Sequence, residues 1–315
     1  MLELRRNDPF LPPSILECVL SSPIKYLLSL LYKLSLSLRS VSPSHGARVR
    51  VVCIADTHAL TLPIPDGDIL IHAGDLTNAG TAAEIQTAID WISSLPHQHK
   101  IVVAGNHDTY LDPRSRLTLS KPDQNGFLNW KQIIYLQHRS TTIRHGSRHI
   151  TIHGAPQTPA CGDASHAFQY ARGQDAWSST VPRHVDILVT HTPPKFHLDL
   201  FHPSVGCEWL LRECWRVRPR LHVCGHVHAA AGRRTLFWDE AQRAYERGMA
   251  RGDGFFTQVF SPWLWIDALT VVFYGAGGFL WTRVWGGDQR STILVNAALM
   301  RVDNRLRDAV QVVEI

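Results

Sequence analysis

Continuous apolar runs that end in polar residues recur along this chain, and they set its expected architecture. VRVVCIAD (49–56), DILIHAGD (68–75), KIVVAGNHD (100–108), RHITIHGAP (148–156), VDILVTH (185–191) and PRLHVCGHVH (219–228) each read as a strand buried on both faces. TILVNAALM (292–300) and DAVQVVEI (308–315) add two more near the end. Thr81-Ala-Ala-Glu84 is a capping box that opens a helix through Leu95, and a second helical pattern lies around 206–216. Strands alternating with helices predict a layered α/β domain over 48–315.

Two stretches do not fit that rhythm. Residues 1–47 form an N-terminal apolar helical segment and linker. Its first dozen residues mix charge signs with prolines, which is not the start of a secretory signal. Ile15 to Leu38 is dense in leucine, interrupted by Pro23, Lys25 and Lys33, and Ser40 to Ala47 reads as the linker. This helix is short for a membrane span; an anchor lying on a membrane surface and a helix capping the core are its two main readings. The second stretch is an insertion over 232–290. It starts with an exposed amphipathic helix near Asp239, then runs from Gly254 to Thr282 with Asp267 as its single charge. Trp263, Trp265, Trp281 and Trp285 bracket this apolar segment as interfacial anchors do. Pro262 and the glycines at 275, 277 and 278 argue against one straight transmembrane helix. A membrane-docking lobe, a hydrophobic lid and an oligomer contact are the readings it allows.

Composition adds little beyond excluding disorder: 44% of the 315 residues are hydrophobic and 19% charged. A net charge of +5 favours anionic substrates or surfaces without selecting nucleic acid, because the basic residues are scattered. No specific nucleic-acid binding is expected. Six cysteines lack CxxC pairing, and Cys53 and Cys224 sit inside apolar strands, so they read as reduced core residues of a cytoplasmic protein.

The chemistry lies where strands end. Asp56 and His58 follow the first strand, Gly74-Asp75 the second, and Gly105-Asn106-His107-Asp108 the third. His191 ends VDILVTH, and Gly225-His226-Val227-His228 ends the sixth strand. Open α/β sheets present ligands at their carboxyl ends, so five loops distant in sequence can meet at one point. Carboxylate, carboxamide and imidazole groups without thiolate suit two hard-to-intermediate divalent cations; Mn, Fe, Zn and Mg all accept such donors. A carboxylate such as Asp75 can bridge two cations. The glycines at 74, 105 and 225 are expected to let the backbone turn so that the next side chain faces the site. Each motif alone is common; the five in this order are not.

With D-x-H, GD, GNHD, H and GHxH all present, the chain resembles the calcineurin-like metallophosphoesterase superfamily from about Arg48 to its C-terminus. LIHAGDLTNAGT, WISSLPHQHKIVVAGNHD, VDILVTHTPP and RPRLHVCGHVH look especially like its small metallophosphoesterase-domain-containing proteins of animals and fungi. The resemblance implies a four-layer α/β/β/α sandwich. It implies one metal held by Asp56, His58, Asp75 and His228, and a second by Asp75, Asn106, His191 and His226. It also implies that His107 faces substrate as proton donor, while a metal-bridging hydroxide attacks phosphorus in line. Asp108, next in sequence, is expected to fix the tautomer of His107 or raise its basicity. Protein Ser/Thr phosphatases carry Asp-Arg-Gly after their GD motif, and purple acid phosphatases a tyrosine; Gly74-Asp75-Leu76-Thr77-Asn78 has neither.

The expected function is a phosphodiesterase acting on a small nucleotide or a lipid phosphodiester, with peripheral membrane contact. The lipid version is suggested by the apolar segment that follows GHVH. A membrane-associated adaptor with a structural metal site and a nuclease are the alternatives, the latter weakened by the absence of an aromatic–basic surface. His72, His153 and His222, inside apolar strands, read as core or supporting groups, and His166 as a residue near substrate.

Overall fold

The structure is a computed structural model; it describes residues 14–41, 48–201, 203–301, 305–306 and 310–315. Residues 1–13 and most of the expected linker lie outside this set. The elements in chain order are α1 (Ile15–Ser21), α2 (Pro23–Leu38), β1 (Arg50–Ile54), β2 (Ile69–Ala73), α3 (Ala82–Ser94), β3 (His99–Val103), β4 (Ile133–Tyr135), β5 (Arg139–His145), β6 (Arg148–Ala155), β7 (Thr158–Pro159), β8 (Gln169–Tyr170), β9 (Ile187–Thr190), α4 (Glu208–Val217), β10 (Leu221–Cys224), β11 (Gly232–Leu236), α5 (Glu240–Ala250), α6 (Phe255–Val259), α7 (Pro262–Phe279), β12 (Thr292–Asn296) and β13 (Gln311–Glu314). They fall into two compact units.

The larger unit, built on 46–200, 204–234 and 293–315, holds two main sheets. One runs β13-β1-β2-β3-β4, with β1 to β4 parallel and β13 antiparallel on β1; the other runs β11-β12-β10-β9-β6-β5, parallel from β12 to β6 and closed by the β5–β6 hairpin. Strand residues alternate between two cores, as period-2 geometry requires. Val51, Cys53, Ile69, Ile71, Ile101 and Val103 point one way and meet Ile152, Ile187, Val189, Leu221 and Val223 of the second sheet. Val52, Ile54, Leu70 and Val102 point the other way onto Ile85, Ile89 and Ile92 of α3. On the far side α4 buries Leu210, Leu211, Cys214 and Val217, and Cys214 Sγ lies 3.6 Å from His222 Nδ1 of β10. This is the mixed α/β sandwich the sequence pattern predicts. The carboxyl ends of the two sheets meet: beyond β12, Leu299 N donates to Ala55 O and Met300 N to Asp56 O, while Gly225 N donates to His191 O and Asp56 N to Gly74 O, continuing the pairing within each sheet.

Thr81 caps α3 by accepting from Glu84 N at 3.2 Å. The reciprocal half of the expected capping box is redirected, because Glu84 accepts instead from Ala79 N and Gly80 N in the GD loop. β4, β5, β7, β8 and β11 have no counterpart in the sequence pattern. β4 has three residues and β5 (RSTTIRH) carries a mostly polar, outward face, so neither gives an apolar run.

The smaller unit gathers 14–41 with 235–292. Here α1 begins with a complete capping box, Ser14 with Glu17, and Pro23 sits at the first turn of α2 rather than breaking it. Tyr32 of α2 stacks on Tyr245 of α5 at 4.2 Å, and Arg39 donates to Asp239 and to Tyr274 O. The expectation that Pro262 and the three glycines argue against one straight transmembrane helix is corrected in so far as it makes them breakers of the helix itself. Pro262 occupies the first turn of an 18-residue helix, where its missing N–H costs nothing. Gly275 and Gly278 give the room that Ser35 and Arg39 occupy. Leu280–Val284 continues the helix as one π-helical turn.

None of the six cysteines is in a disulfide. His222 Nε2 donates to Thr190 Oγ1 at 2.8 Å, while the Thr190 hydroxyl donates to Thr192 O. Burial pushes the His222 pKa from 6.5 down to about 3, so the folded protein keeps this ring neutral. In the unfolded chain it protonates near 6.5. Stability therefore falls as pH drops below about 6.5, by up to about 1.4 kcal/mol per pH unit for each such histidine. His222→Gln keeps a donor for Thr190 and removes the titration. Urea unfolding at a series of pH values should show a shallower acid slope for the variant; identical slopes would contradict this assignment.

Candidate metal centre

Three of the five strands that enter the site, β1, β2 and β10, run into a backbone conformation that ordinary residues avoid. Asp56 (φ 53°), His58 (46°), Asp75 (53°) and His226 (67°) are left-handed, and Gly74 has φ 99°. Asp and His tolerate this region better than most residues, yet each such position costs roughly 1–3 kcal/mol. The result is convergence. Asp56, His58, Asp75 and His228 each offer a donor atom within 4.8 Å of the others, and so do Asp75, His191 and His226. Asp75 belongs to both groups. Asn106 joins the second through Oδ1, 3.0 Å from His191 Nε2. All seven residues singled out in the sequence as metal donors thus lie together at the sheets' carboxyl ends.

The donor set fits a pair of divalent cations. His191 Nδ1 donates to Ala73 O at 2.9 Å, which turns Nε2 toward Asp75 Oδ2 at 3.3 Å and the Asn106 oxygen. His58 Nε2 and His228 Nε2 face each other at 3.4 Å beside Asp56 Oδ1 and Asp75 Oδ2, nitrogen against nitrogen, an arrangement that an intervening cation satisfies.

Electrostatics agree. Burial opposes ionisation of Asp56 and Asp75, but the imidazoles of His228 and His191 hold both carboxyls below their usual range, Asp75 most strongly. Burial disfavours charge on His191 too, and the Asp75 carboxylate overrides it, raising the ring to about 9. Burial alone dominates at His226, which falls to about 3. His58 is also lowered by burial, and His228, though buried, is raised by its hydrogen bond to Asp56.

The glycines work differently from expectation at two of three positions. Gly74 does take a positive φ. Gly105 and Gly225 do not; their value is space. A Cβ on Gly105 would overlap the Asp75 carboxylate, one on Gly225 the Asp56 carboxylate, and one on Gly74 the His191 ring. Each glycine makes room for a donor from a different strand.

His107 stands beside the donors. Its ring centroid is 4.9 Å from that of His58, its backbone N–H donates to Asp75 Oδ1 at 2.8 Å, and its Nδ1 lies 3.3 Å from Asn78 O. An Nδ1–H donated to that carbonyl leaves Nε2 as the nitrogen open to proton exchange. The expected partnership with Asp108 is corrected. The fully buried Asp108 carboxylate accepts from Leu76 N, Thr77 N, Thr77 Oγ1 and Gly105 N, so it ties the GD loop to the GNHD loop, and Asn78 takes the role of orienting His107. Adjacency in sequence places the two side chains on opposite sides of the turn. Burial and the nearby Asp75 carboxylate push Asp108 up to about 7.

His166, on the loop between β7 and β8, brings its ring to 4.8 Å from His107, with Ala167 N bonded to Asn106 O. His72, expected as a core or supporting group, holds Thr57 Oγ1 at 3.0 Å, one residue from Asp56. His222 does the same for Thr190, one residue from His191. Nothing in their apolar surroundings distinguishes these two from core histidines; only the register of neighbouring strands does.

The profile of the calcineurin-like phosphoesterase family matches residues 49–230. Human metallophosphoesterase domain-containing protein 1 is 39% identical over 215 residues, covering 61% of this chain and 64% of that protein. The probable rhamnogalacturonate lyase C of Emericella nidulans is 42% identical over 253 residues, 79% of this chain but 23% of that protein. The chain therefore spans just under two thirds of the first relative and under a quarter of the second. A solved structure, TT1561 of Thermus thermophilus, aligns over 61% of this chain and 86% of its own with a TM-score of 0.40 and 14% identity. Matched across more than half its length, with the motifs of the match meeting in one cluster of donor atoms, this chain belongs to the calcineurin-like phosphoesterase family.

Proposed function

We propose that this protein is a metal-dependent phosphodiesterase whose two cations are held by Asp56, His58, Asp75 and His228, and by Asp75, Asn106, His191 and His226. The sharing of Asp75 between two donor groups is the observation that carries this reading. Cations at these positions supply Lewis-acid polarisation of a phosphoryl oxygen and an activated water at neutral pH. The protein's own contribution is positional. Asp108 and Thr77 lock two loops together, so Asp75 and Asn106 keep a fixed separation. Asn78 O holds the Nδ1–H of His107 and fixes the ring, leaving Nε2 to deliver a proton to the departing alkoxide. His166, beside His107, faces the same substrate oxygens. The imidazoles of His107 and His166 beside the donor set suit a singly charged diester. The diester is a small nucleotide or a lipid head group.

Metal analysis of the purified protein, coupled to turnover of a panel spanning bis(p-nitrophenyl) phosphate, cyclic nucleotides, phosphomonoesters and phospholipids, tests this reading. Two metals per chain and chelator-sensitive diester hydrolysis are expected. Asp75→Asn should lose both the metal pair and activity; retention of two metals at full activity would refute the bridging role, and bound metal with no turnover of any ester would leave a structural site instead.

His107→Ala should lower turnover by roughly 10²–10⁴-fold on an alkyl leaving group. The loss should shrink with a nitrophenol leaving group, which scarcely needs a proton. An equal loss on both removes His107 from proton donation.

Gly225→Ala drives a methyl group into the Asp56 carboxylate without touching any donor's own chemistry. Metal affinity measured by competition with a chromophoric chelator should fall about 10–100-fold. An unchanged affinity would show that the close packing of Gly225 on Asp56 is irrelevant to the site.

A further inference from the structure

α7 inverts the usual pattern of a surface helix. Its buried stripe is Leu264, Asp267, Ala268, Val271 and Gly275, a 3.6-residue repeat turned toward α2 and α5. The opposite face, which in a helix on a water-soluble surface is polar, carries Trp263, Ile266, Leu269 (68% exposed), Val272 and Phe273 (73% exposed). Phe256 and Phe260 extend this apolar surface at the N-terminal end, and Trp281, Val284 and Trp285 at the other. α2 adds exposed Leu30, Leu34 and Leu38 at four-residue spacing. An apolar surface of this extent is far beyond isolated exposed side chains.

Three features identify what covers it. Aromatic residues mark both ends, with Trp263 and Trp265 at one and Trp281 and Trp285 at the other, the placement tryptophan takes at a membrane interface. Charges along this face are basic: Lys33 is exposed on α2 between Leu30 and Leu34, Arg283 is exposed between Trp281 and Val284 and donates to Leu38 O, and Arg290 follows beyond the helix. The acidic groups are Asp288 past the last tryptophan, Asp253, which pairs with Lys25, and Glu17, which caps α1. Asp267 is turned inward, where Arg247 and Arg251 neutralise it.

Pro262–Val284 is long and apolar enough to cross a bilayer. Its inner flank argues against crossing. α5 lies along α7 with Glu240, Arg243 and Arg247 in an exposed ion-pair cluster, which a span would carry into hydrocarbon. A helix with one apolar and one charged flank lies in the interface plane instead.

We infer that the unit formed by α1, α2, α5, α6 and α7 docks on the surface of an anionic phospholipid bilayer, with the outer face of α7 immersed and Lys33, Arg283 and Arg290 at the lipid head groups. This docking goes beyond the phosphodiesterase reading and stands whether or not that reading holds.

The test is flotation of the full-length protein with vesicles of phosphatidylcholine, with and without phosphatidylserine. Co-flotation enhanced at least about tenfold by phosphatidylserine and weakened by salt is expected, with a blue shift of tryptophan emission on binding. The double variant Leu269→Asp/Phe273→Asp changes only outward-facing side chains and should lose flotation at least about tenfold with its thermal midpoint kept. If that variant fails to fold, Arg283→Glu, which alters only a rim charge, should still reduce the phosphatidylserine enhancement. Several results would overturn the inference. They are absence of flotation with either vesicle, flotation indifferent to these substitutions, resistance to alkaline carbonate extraction from cell membranes, and a stable dimer that Leu269→Asp/Phe273→Asp dissociates while vesicles leave the wild type unbound.

Discussion

Two carboxylates buried in one cluster of donor atoms are the constraint around which this molecule is arranged. Asp56 and Asp75 are almost wholly withdrawn from water, and Coulomb repulsion between them grows as the dielectric falls. Such a pair persists only where positive charge surrounds it. Here that charge comes from imidazoles on β9 and β10 and the loops beyond them, drawn from a different sheet than the carboxylates. The two sheets are therefore coupled twice, once through the apolar core between them and once through the charges at their ends. Core packing brings the strand ends within reach; the left-handed residues then turn the side chains into the shared space. Backbone strain at four donors is hard to explain as a folding solution, since it contributes nothing to the core, and it is what a site for strongly bound cations requires.

Around the donors the structure devotes a second set of residues to holding them still. His72 and His222 occupy equivalent places on the two sheets, each fixing a threonine next to a donor, and Asp108 joins two of the loops. Glycines at 74, 105 and 225 complete the arrangement by staying small. A catalyst working by position and charge needs such rigidity more than it needs many reactive groups, because a misplaced phosphorus loses both attack geometry and neutralisation.

Much of this is legible in the sequence, and the reasons are physical. Strands buried on both faces leave long apolar runs, so each of the eight runs contains a strand, and five of them end in the residues that cluster at the site. β5 is not legible because an edge strand exposes one face to water and loses its hydrophobic signal. The role of Asp108 is easily misread because sequence neighbours beyond a strand end point in different directions. The association of 14–41 with 235–292 is also out of reach: the first shows an apolar helix, the second an amphipathic and an apolar one, and nothing local says that Tyr32 meets Tyr245 or that Gly275 accommodates Ser35. Proline and glycine in α7 look like breakers, when one starts the helix and the others let α2 approach.

The central claim, that two cations share the Asp75 carboxylate, is tested most directly by electron paramagnetic resonance of the protein loaded with Mn(II). Cations about 3.5–4 Å apart across a common carboxylate are exchange-coupled, so the account predicts a multiline spectrum from a coupled pair at two equivalents of metal. A simple six-line signal that only doubles in intensity between one and two equivalents would mean magnetically isolated ions, and the shared site described here would not exist.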